Sequence, residues 1–350
     1  MKTYQGPEDW PRLRASLETS VDTGGLARLE QAWQFATAAH RGQRRPAGDA
    51  YAQHLSEVVR ILADTGVTNP DLLVAGVLHD VLEDTDVSRD ELAQRFGAKV
   101  AELVEQLTQS QEAAPGPQEA APGSADARAR YLGRFRDAPL AVQLVKLADR
   151  YSNVQRLHTH PRVSKQRSYY AETREHFFPI AARQPGFAEL YQEWADAYEY
   201  LAEDAVDTLL VADQVAAAYH RGQTDKSGHP YIGHPRAVAG LVQQAGGSLT
   251  QQMAGLLHDT VEDTAATLDS LRELGVPADV LTLVDALTHR PGEAQPGYLA
   301  RIVDTPGATD VKRADIAHNA SPARLSQLDP ETQRRLSAKY AAATAILDQR

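Results

Sequence analysis

Residues 77–85 read VLHDVLEDT, and this stretch decides how the rest of the chain is interpreted. An apolar run, LLVAGVL, leads directly into His79 and Asp80, and Glu83 and Asp84 follow about one helical turn later. The apolar run predicts a buried helix, in which ionisable side chains are costly unless they are paired or bind a metal ion. A solvated, charged helix end is the ordinary alternative.

A second stretch, LLHDTVEDT at 256–264, repeats the first one 179 residues further along the chain. Its surroundings repeat as well: AAHRGQ at 38–43 returns as AYHRGQ at 218–223, and VKLADRYSN at 145–153 returns as VKRADIAHN at 311–319. The same ionisable residue types therefore recur in the same order, which argues against the solvated alternative. We interpret the chain as a tandem duplication with a period of about 180 residues.

Apolar residues recur mostly at helical spacing, and little of the chain alternates as a strand would. We therefore expect an all-α fold of two tandem helical bundles related by internal duplication. The predicted boundaries are an N-terminal extension over 1–24, a first copy over 25–200 and a second copy over 201–350. Residues 110–126, SQEAAPGPQEAAPGSAD, have no counterpart of that length in the second copy and are predicted to form a mobile loop.

Two helices near the first cluster are predicted to be continuous. The segment NPDLLVAGVLHDVLEDT begins with Asn69 as an N-cap and Pro70 at the first helical position. His79 and Glu83 would then lie one turn apart on the same helix. The segment SRDELAQRFGAKVAELVEQLTQ begins with a capping-box pattern at Ser88 and predicts one further helix.

Composition excludes several classes of protein. The formal net charge of -11 argues against nucleic-acid binding by bulk electrostatics, and the absence of cysteine excludes disulfides, thiolate zinc sites and a cysteine nucleophile. The N-terminus lacks the apolar core of a signal peptide, and no apolar run approaches the roughly 18 residues of a membrane span. We expect a cytoplasmic protein without a membrane partner, and its Arg- and Ala-rich composition suggests a bacterial origin.

Each copy contains two histidines and two aspartates that together can bind a divalent metal ion. The candidate ligands are His54, His79, Asp80 and Asp149 in the first copy and His234, His258, Asp259 and Asp315 in the second. Nitrogen and oxygen ligands without sulfur suit Mn²⁺, Fe²⁺ or Zn²⁺. Four protein ligands leave room for water and a substrate oxygen, so the ion would acidify that water and polarise a phosphoryl group.

The acidic pairs that follow the candidate ligands have a different predicted role. Glu83 and Asp84, and their counterparts Glu262 and Asp263, lie one turn beyond the His-Asp pairs. This position favours orienting or deprotonating the attacking water over binding the metal ion directly.

Taken together, the motifs resemble those of the HD-domain metal-dependent phosphohydrolases, and more closely the hydrolase domain of the RelA/SpoT alarmone enzymes and their small stand-alone relatives. The first copy has AAHRGQ, YAQH, VLHDVLEDT, FGAKVAELV and KLADRYSN, and the second has AYHRGQ, KSGHPYIGHP, LLHDTVEDT and VKRADIAHN. The resemblance covers roughly residues 25–185 and 205–350. It implies the same ligand sets, the same water-activating pairs and one ion, expected to be Mn²⁺, in each copy.

The resemblance also implies a basic pair, in the turn before the first ligand, that holds substrate phosphates. The residues expected to bind substrate are Arg45, Arg150 and Asn153 in the first copy and Lys226 and Asn319 in the second. Pro46 and Asp225 replace the other cation of each pair, and Ile316 replaces the arginine that follows the last ligand. Both metal sites are therefore expected to be intact, and both substrate pockets are altered.

The implied function is hydrolysis of a nucleotide phosphate or pyrophosphate ester, most specifically removal of the 3′-pyrophosphate of guanosine tetra- or pentaphosphate. The altered turns leave open another small nucleotide substrate, such as a nucleoside monophosphate, NADPH or a biosynthetic intermediate. A non-catalytic nucleotide-binding regulator is the third alternative, although degenerate copies usually lose metal ligands first and neither copy has. Because two hydrolase-like copies occupy the 350 residues, we expect degradation of alarmone and no synthesis.

Overall fold

The computed structural model describes residues 1–45, 48–108, 124–202, 209–226 and 228–348. These residues form helices and turns but no β-strand, so the predicted all-α fold is confirmed. Residues 110–123 of the predicted mobile loop lie outside the described residues, and 124–126 begin a helix. Within the described part of the chain, no helix combines the length and the apolar character needed to cross a bilayer.

The chain divides into two units, Met1–His160 with Ser168–Asp196 and Pro161–Arg167 with Ala197–Arg350. The helices up to the end of the first unit are α1 (Trp10–Leu17), α2 (Thr23–Ala39), α3 (Tyr51–Asp64), α4 (Pro70–Leu78), α5 (Val81–Asp84), α6 (Arg89–Phe96), α7 (Ala98–Leu107), α8 (Ser124–Gly133), α9 (Leu140–Val154), α10 (Val163–Glu172), α11 (Phe178–Ala181) and α12 (Pro185–Ala197). A π-helical segment, Thr173–Phe177, joins α10 to α11.

The remaining helices belong to the second unit. They are α13 (Leu209–Tyr219), α14 (Gly233–Gln244), α15 (Leu249–Leu257), α16 (Thr260–Asp263), α17 (Leu268–Glu273), α18 (Ala278–Leu287), α19 (Gln295–Asp304), α20 (Ala308–Asn319), α21 (Pro322–Leu325) and α22 (Pro330–Asp348). Short 3-10 turns occur at Arg134–Asp137, Leu157–Thr159 and Glu199–Leu201.

Helix α4 forms the centre of the first unit, where it packs against α2, α3, α7 and α9. Every residue from Leu72 to Leu78 is buried. Burial of each Leu or Val side chain stabilises the fold by about 1.5–3 kcal/mol. The helix begins as predicted, because the side chain of Asn69 accepts a hydrogen bond from the Asp71 backbone N–H and Pro70 is the first helical residue.

Helix α15 has the same place in the second unit and packs against α13, α14, α18 and α20. Its N-terminus is closed by a reciprocal capping box between Ser248 and Gln251. In both units, one bridge closes the turn that precedes the first candidate ligand, between Arg44 and Ala50 and between Thr224 and Pro230. The same helices around the same turn confirm the internal duplication.

Both helices that were predicted to be continuous are interrupted. Helix α4 ends at Leu78, His79 and Asp80 form a turn, and α5 begins after it, so His79 and Glu83 are not on one helix. The later helix divides at Gly97, whose φ of 95° is incompatible with a right-handed helix. The first break matters for the site, because it places two candidate ligands at the end of a buried helix.

The N-terminal residues pack against the rest of the first unit. Tyr4 is buried, and its backbone N–H donates to Oε1 of Gln155 at 2.6 Å. The hydroxyl of Tyr151 donates to the carbonyl of Lys2 at 2.6 Å. Gly6 lies so close to α3 that an added Cβ would be 2.1 Å from a backbone oxygen. This segment therefore contributes to the packing around α3 and α9.

Candidate metal centres

Helix α3, the turn after α4 and helix α9 bring the four candidate ligands of the first copy together. His54, His79 and Asp149 are buried, and one ligand atom of each lies within 4.8 Å of the others. The two Nε2 atoms are 3.2 Å apart, and Oδ1 of Asp149 lies 3.5 Å from the first and 3.7 Å from the second. Oδ2 of Asp80 lies 2.9 Å from Nε2 of His79 and 3.6 Å from Nε2 of His54.

The second copy repeats this cluster at the equivalent residues. His234, His258 and Asp315 are buried and also fall within 4.8 Å of one another. Oδ1 of Asp315 lies 3.2 Å from Nε2 of His234 and 3.7 Å from Nε2 of His258. Oδ2 of Asp259 lies 3.4 Å and 3.0 Å from the same two nitrogens. The structure therefore brings all eight predicted ligands into two clusters of four.

Hydrogen bonds to the Nδ1 atoms of His54 and His79 determine where each neutral ring carries its proton. They leave the Nε2 atoms, which face the cluster, unprotonated. Nδ1 of His79 lies 2.9 Å from the carbonyl oxygen of Gly76, which can only accept, so this Nδ1 carries the proton. Nδ1 of His54 lies 2.9 Å from Oγ of Ser152, whose own hydroxyl donates to Glu57 at 2.6 Å. In the neutral rings both Nε2 lone pairs therefore face each other, an arrangement that a bound cation stabilises.

The second pair is oriented by different neighbours. Nδ1 of His258 donates to the carbonyl of Gly255 at 2.9 Å, and Nδ1 of His234 lies 2.7 Å from Nδ1 of His318. Burial and the charges of His234 and Arg324 lower the pKa of His318 to about 4, so its neutral ring can accept this bond. The buried Nε2 of His258 has no hydrogen-bond partner among the described residues, although a carboxylate oxygen is 3.0 Å away. Such an atom suits a metal ligand.

The clusters attract positive charge. Burial by itself lowers the pKa of His79, but the carboxylates of Asp80 and Asp149 outweigh burial and raise that pKa to about 10. The pKa of His258 is likewise raised to about 10, by Asp259 and Asp315. Two imidazoles and two carboxylates that favour a cation fit a divalent metal ion, in the ligand chemistry of Mn²⁺, Fe²⁺ or Zn²⁺.

A tyrosine and a lysine that the sequence reasoning missed support the first cluster. The hydroxyl of Tyr51 donates to Oδ2 of Asp80 and lies 3.2 Å from Oδ2 of Asp84. Nζ of Lys146 lies 2.8 Å from Oδ2 of Asp149. Tyr51 thereby orients Asp80 through a lone pair that a bound metal ion would leave free. Lys146 orients Asp149 through the oxygen that does not face the histidines.

The second copy has the same two supports. The hydroxyl of Tyr231 donates to Asp259 at 2.6 Å, and Nζ of Lys312 lies 2.7 Å from Oδ2 of Asp315. The sequence contains a signal for both, because a Tyr precedes the first ligand by three residues and a Lys precedes the last ligand by three residues in each copy.

The predicted water-activating residues lie beside the clusters, with part of each side chain exposed to solvent. Burial and then the neighbouring Asp80 carboxylate raise the pKa of Asp84, and Asp259 has the same effect on Asp263. Oε2 of Glu262 accepts a hydrogen bond from the backbone N–H of His289 at 2.8 Å. A carboxylate with a raised pKa is a stronger base than an ordinary one, which suits proton transfer from water.

The predicted substrate-binding residues of the first copy have protein partners. Nη1 of Arg45 lies 3.1 Å from Oε2 of Glu57, and its Nη2 donates to Oδ1 of Asn153 at 3.0 Å. Nδ2 of Asn153 donates to Oδ1 of Asp149 at 2.7 Å. Arg150 is buried, and its described hydrogen bonds go to protein groups. The asparagine therefore contacts a candidate metal ligand directly.

The second copy shows the same contact of its asparagine and a more exposed cation. Nδ2 of Asn319 donates to Oδ1 of Asp315 at 2.6 Å. Lys226 is exposed and lines the cavity, while the neighbouring Asp225 pairs with Arg324 at 3.4 Å. Each cluster lies in a cavity, with a volume of about 330 Å³ in the first copy and about 670 Å³ in the second.

The family of the HD domain matches this chain over residues 32–187 and 212–295. The chain belongs to the HD-domain family. Its two matched segments correspond to the two copies, and the relatives below confirm the predicted resemblance to RelA/SpoT-type enzymes.

Similar proteins include a probable GTP diphosphokinase, RSH3, of Arabidopsis thaliana chloroplasts, 40% identical over 154 residues that make up 44% of this chain and 21% of that protein. The GTP pyrophosphokinase of Streptomyces coelicolor is 36% identical over 49% of this chain and 20% of its own length. The guanosine-3′,5′-bis(diphosphate) 3′-pyrophosphohydrolase of Aquifex aeolicus is 34% identical over 50% of this chain and 24% of its own length. The chain thus spans about a fifth to a quarter of these relatives.

Among solved structures, a metazoan ortholog of SpoT that hydrolyzes ppGpp is 25% identical, with a TM-score of 0.42, over 48% of this chain and 94% of that one.

Proposed function

We propose that the chain is a divalent-metal-dependent phosphohydrolase for nucleotide phosphate or pyrophosphate esters, and most specifically for the 3′-pyrophosphate of guanosine tetra- or pentaphosphate. The observation that carries this proposal is the convergence of two imidazole lone pairs and two carboxylates inside a cavity that also has an acidic pair and cations. The relative from Aquifex aeolicus, which is named for this hydrolysis, supports the specific substrate.

The ligand residues of each copy would hold one ion, which we propose to be Mn²⁺. When bound, such an ion acidifies water and polarises a phosphoryl oxygen. In the first copy, His54, His79, Asp80 and Asp149 would provide the ligand atoms. In the second, the ligands would be His234, His258, Asp259 and Asp315.

One carboxylate of each acidic pair would accept the proton of the attacking water. Asp84 and Asp263 have raised pKa values, and each lies within reach of the tyrosine that also contacts a candidate ligand. As water attacks phosphorus, the bond from phosphorus to the leaving oxygen breaks and the proton from the water passes to the carboxylate. Glu83 and Glu262 would orient the same water.

The cations at the cavities would position the phosphates of the substrate. Arg45 is partly buried and already oriented by Glu57 and Asn153, so it offers a preorganised guanidinium. Lys226 offers a mobile point charge in the second copy. Asn153 and Asn319, each hydrogen-bonded to a candidate metal ligand, would contact the substrate beside the ion. Arg150 would attract the phosphates with its charge from the cavity wall.

The proposal is tested by turnover of purified protein with Mn²⁺ on guanosine tetraphosphate, guanosine pentaphosphate, nucleoside monophosphates and NADPH. His79→Ala and His258→Ala each remove a ligand from one cluster, and Glu105→Ala, whose side chain is 54% exposed and lies outside both cavity linings, is the control. We expect turnover of an alarmone that falls in one or both ligand variants and not in the control. Absence of turnover of every compound, with metal bound in both clusters, would contradict the proposal.

A further inference from the structure

The cavities of the two copies differ in size and in the chemistry of one wall. The volume is about 670 Å³ in the second copy and about 330 Å³ in the first. Both cavities contain a candidate metal cluster, and both are lined by a Tyr-Leu pair, Tyr131 and Leu132 in the first and Tyr298 and Leu299 in the second. The difference in size therefore arises from other lining residues.

In the first copy, one wall is filled by an ion-pair cluster and an aromatic ring. Glu172 accepts hydrogen bonds from Arg128 at 2.5 and 2.8 Å and from Nη2 of Arg150 at 3.2 Å. The guanidinium carbon of Arg150 lies 5.2 Å from the ring centre of Phe177. Arg128, Arg150 and Phe177 all line the cavity, so long and charged side chains occupy this wall.

The second copy replaces every member of this group with a shorter or uncharged residue. The offset of 167 residues that relates Tyr131 to Tyr298 places Gln295 at the position of Arg128. The offset of 166 residues that relates α9 to α20 places Ile316, Ala338 and Ala343 at the positions of Arg150, Glu172 and Phe177. Exchange of arginine for isoleucine and of phenylalanine for alanine removes side-chain volume and charge together. The direction of this exchange agrees with the larger cavity of the second copy.

The space that is gained has an apolar lining. Ile316, Leu328, Leu336, Tyr340 and Ala343 line the second cavity, and we call them the apolar wall. Three of them have exposures of only 5–7%, and Tyr340 is half-buried. The cavity is lined as well by candidate metal ligands and by four cations, Lys226, Lys312, Arg324 and Lys339, so apolar and anion-binding surfaces meet in one pocket.

We propose that the apolar wall is a binding subsite for a planar aromatic group of a phosphate ester, and that the first copy has no such subsite. This inference rests on the proposed function in placing the phosphate of that ester at the metal cluster. An aromatic ring bound there would exchange contact with water for contact with apolar side chains, a gain that the charged wall of the first copy does not offer.

The test compares two phosphonates, whose C–P bonds resist hydrolysis, by isothermal titration calorimetry with Mn²⁺. The probes are methylphosphonate and 1-naphthylmethylphosphonate. His79→Ala protein retains the intact cluster of the second copy, and His258→Ala protein retains that of the first. We expect the naphthyl compound to bind about 10- to 100-fold more tightly than the methyl compound in the first variant and about equally in the second. An equal ratio in both variants would overturn the inference.

Substitutions in α22 and α20 locate the subsite. In the His79→Ala background, Ala343→Phe restores the aromatic ring of the first copy, and we expect the affinity ratio to fall to about one. Ile316→Arg instead places a charged side chain in the wall, with the same expected result. Ala345→Phe on the same helix is exposed and outside the cavity lining, so it should leave the ratio unchanged. A high ratio in both wall variants, with native circular dichroism, would show that the ring binds elsewhere.

The two proposals fail in different ways. If the second copy discriminates between the phosphonates but the protein hydrolyses no ester, the subsite stands and the proposed activity falls. If the protein hydrolyses nucleotides but both copies bind the two phosphonates in the same ratio, the activity stands and the subsite falls.

Discussion

The hydroxyl of Tyr231 donates a hydrogen bond of 2.6 Å to Oδ2 of Asp259. Burial, and then the charge of that aspartate, raise the pKa of Tyr231, so the phenol remains a donor at every working pH. The bond orients a candidate ligand, and loss of such a support typically costs about 10- to 100-fold in metal affinity. We therefore expect Tyr231→Phe to weaken Mn²⁺ binding by that factor in a competition titration with a chelator.

The control for this prediction is Tyr340→Phe, because the structure places that ring in the same cavity but gives its hydroxyl no role at the ligands. Tyr51→Phe should reproduce the effect in the first copy, where the equivalent bond goes to Asp80. Unchanged Mn²⁺ affinity in both ligand-side variants would show that these tyrosines do not orient the aspartates.

Metal binding should stabilise each unit separately, and tryptophan fluorescence can report on the first unit alone. The three tryptophans of the chain, Trp10, Trp33 and Trp194, all belong to that unit. With Mn²⁺ at about 100 times its dissociation constant, linkage adds about 2.7 kcal/mol, or about 5–10 °C in Tm. We expect this rise in wild type and in His258→Ala, but not in His79→Ala. A rise of equal size in His79→Ala would mean that the first cluster does not bind the ion.

The metal ligands of both clusters could be predicted from sequence because the same ligand types recur at matching positions in two copies. The positions at which helices are interrupted could not be predicted. Gly76 and Gly97 both lie within apolar helical patterns, yet only the second breaks its helix. An added Cβ at Gly76 would lie 2.7 Å from Leu62, so that glycine permits close helix packing, whereas Gly97 provides a positive φ. The sequence pattern does not distinguish these two uses.

The role of Arg150 illustrates the same limit in the site. The sequence resemblance assigned it to the substrate, but its guanidinium also pairs with Glu172, 22 residues further along the chain, and donates to Thr173. This partnership depends on how the π-helical segment and α9 pack, which local spacing does not reveal. The tyrosine and lysine supports were, by contrast, present in both copies and could have been found from the repeat itself.

Asn153 should affect the metal ion as well as the substrate. Its Nδ2 donates to Oδ1 of Asp149, the oxygen that also faces the two histidines. We expect Asn153→Ala to lower Mn²⁺ affinity about tenfold, and Asn319→Ala to do the same in the second copy. The measurement is a chelator competition without substrate. A rise in KM for an alarmone at saturating Mn²⁺, with metal affinity unchanged, would instead assign the asparagine to the substrate alone.

The ion-pair cluster of Arg128, Glu172 and Arg150 should make the first unit sensitive to acid. Burial raises the pKa of Glu172, but its hydrogen bond from Arg128 and the charge of Arg150 outweigh burial, so the net pKa is lowered from 4.5. Its contribution to stability is therefore complete above about pH 4.5 and is lost as the pH falls through the lowered value in the folded protein. Glu172→Gln should cost about 3 kcal/mol at pH 7, because it leaves two arginines without their anion.

The measurement is urea unfolding followed by tryptophan fluorescence at pH 7 and at pH 3, with Glu105→Gln as the control. Glu105 forms an exposed pair with Arg89, in which its side chain is 54% exposed, so its substitution should change stability by less than about 1 kcal/mol. The difference between wild type and Glu172→Gln should shrink in acid. A difference that is the same at both pH values would exclude the ionised Glu172 as the source of the stability.

The contact of Gly6 with α3 gives the last prediction. A Cβ at residue 6 would lie 2.1 Å from the carbonyl oxygen of Gln53 and 2.9 Å from Cβ of Ser56, and neither helix backbone nor Cβ can move away cheaply. Gly6→Ala should therefore displace the N-terminal segment and destabilise the first unit by about 1–3 kcal/mol in tryptophan-monitored unfolding. Gly133→Ala, at the end of α8, has nothing within 4 Å of the added Cβ and should not destabilise the protein. Equal stability of the two variants would mean that the N-terminal segment does not contribute to the packing of the first unit.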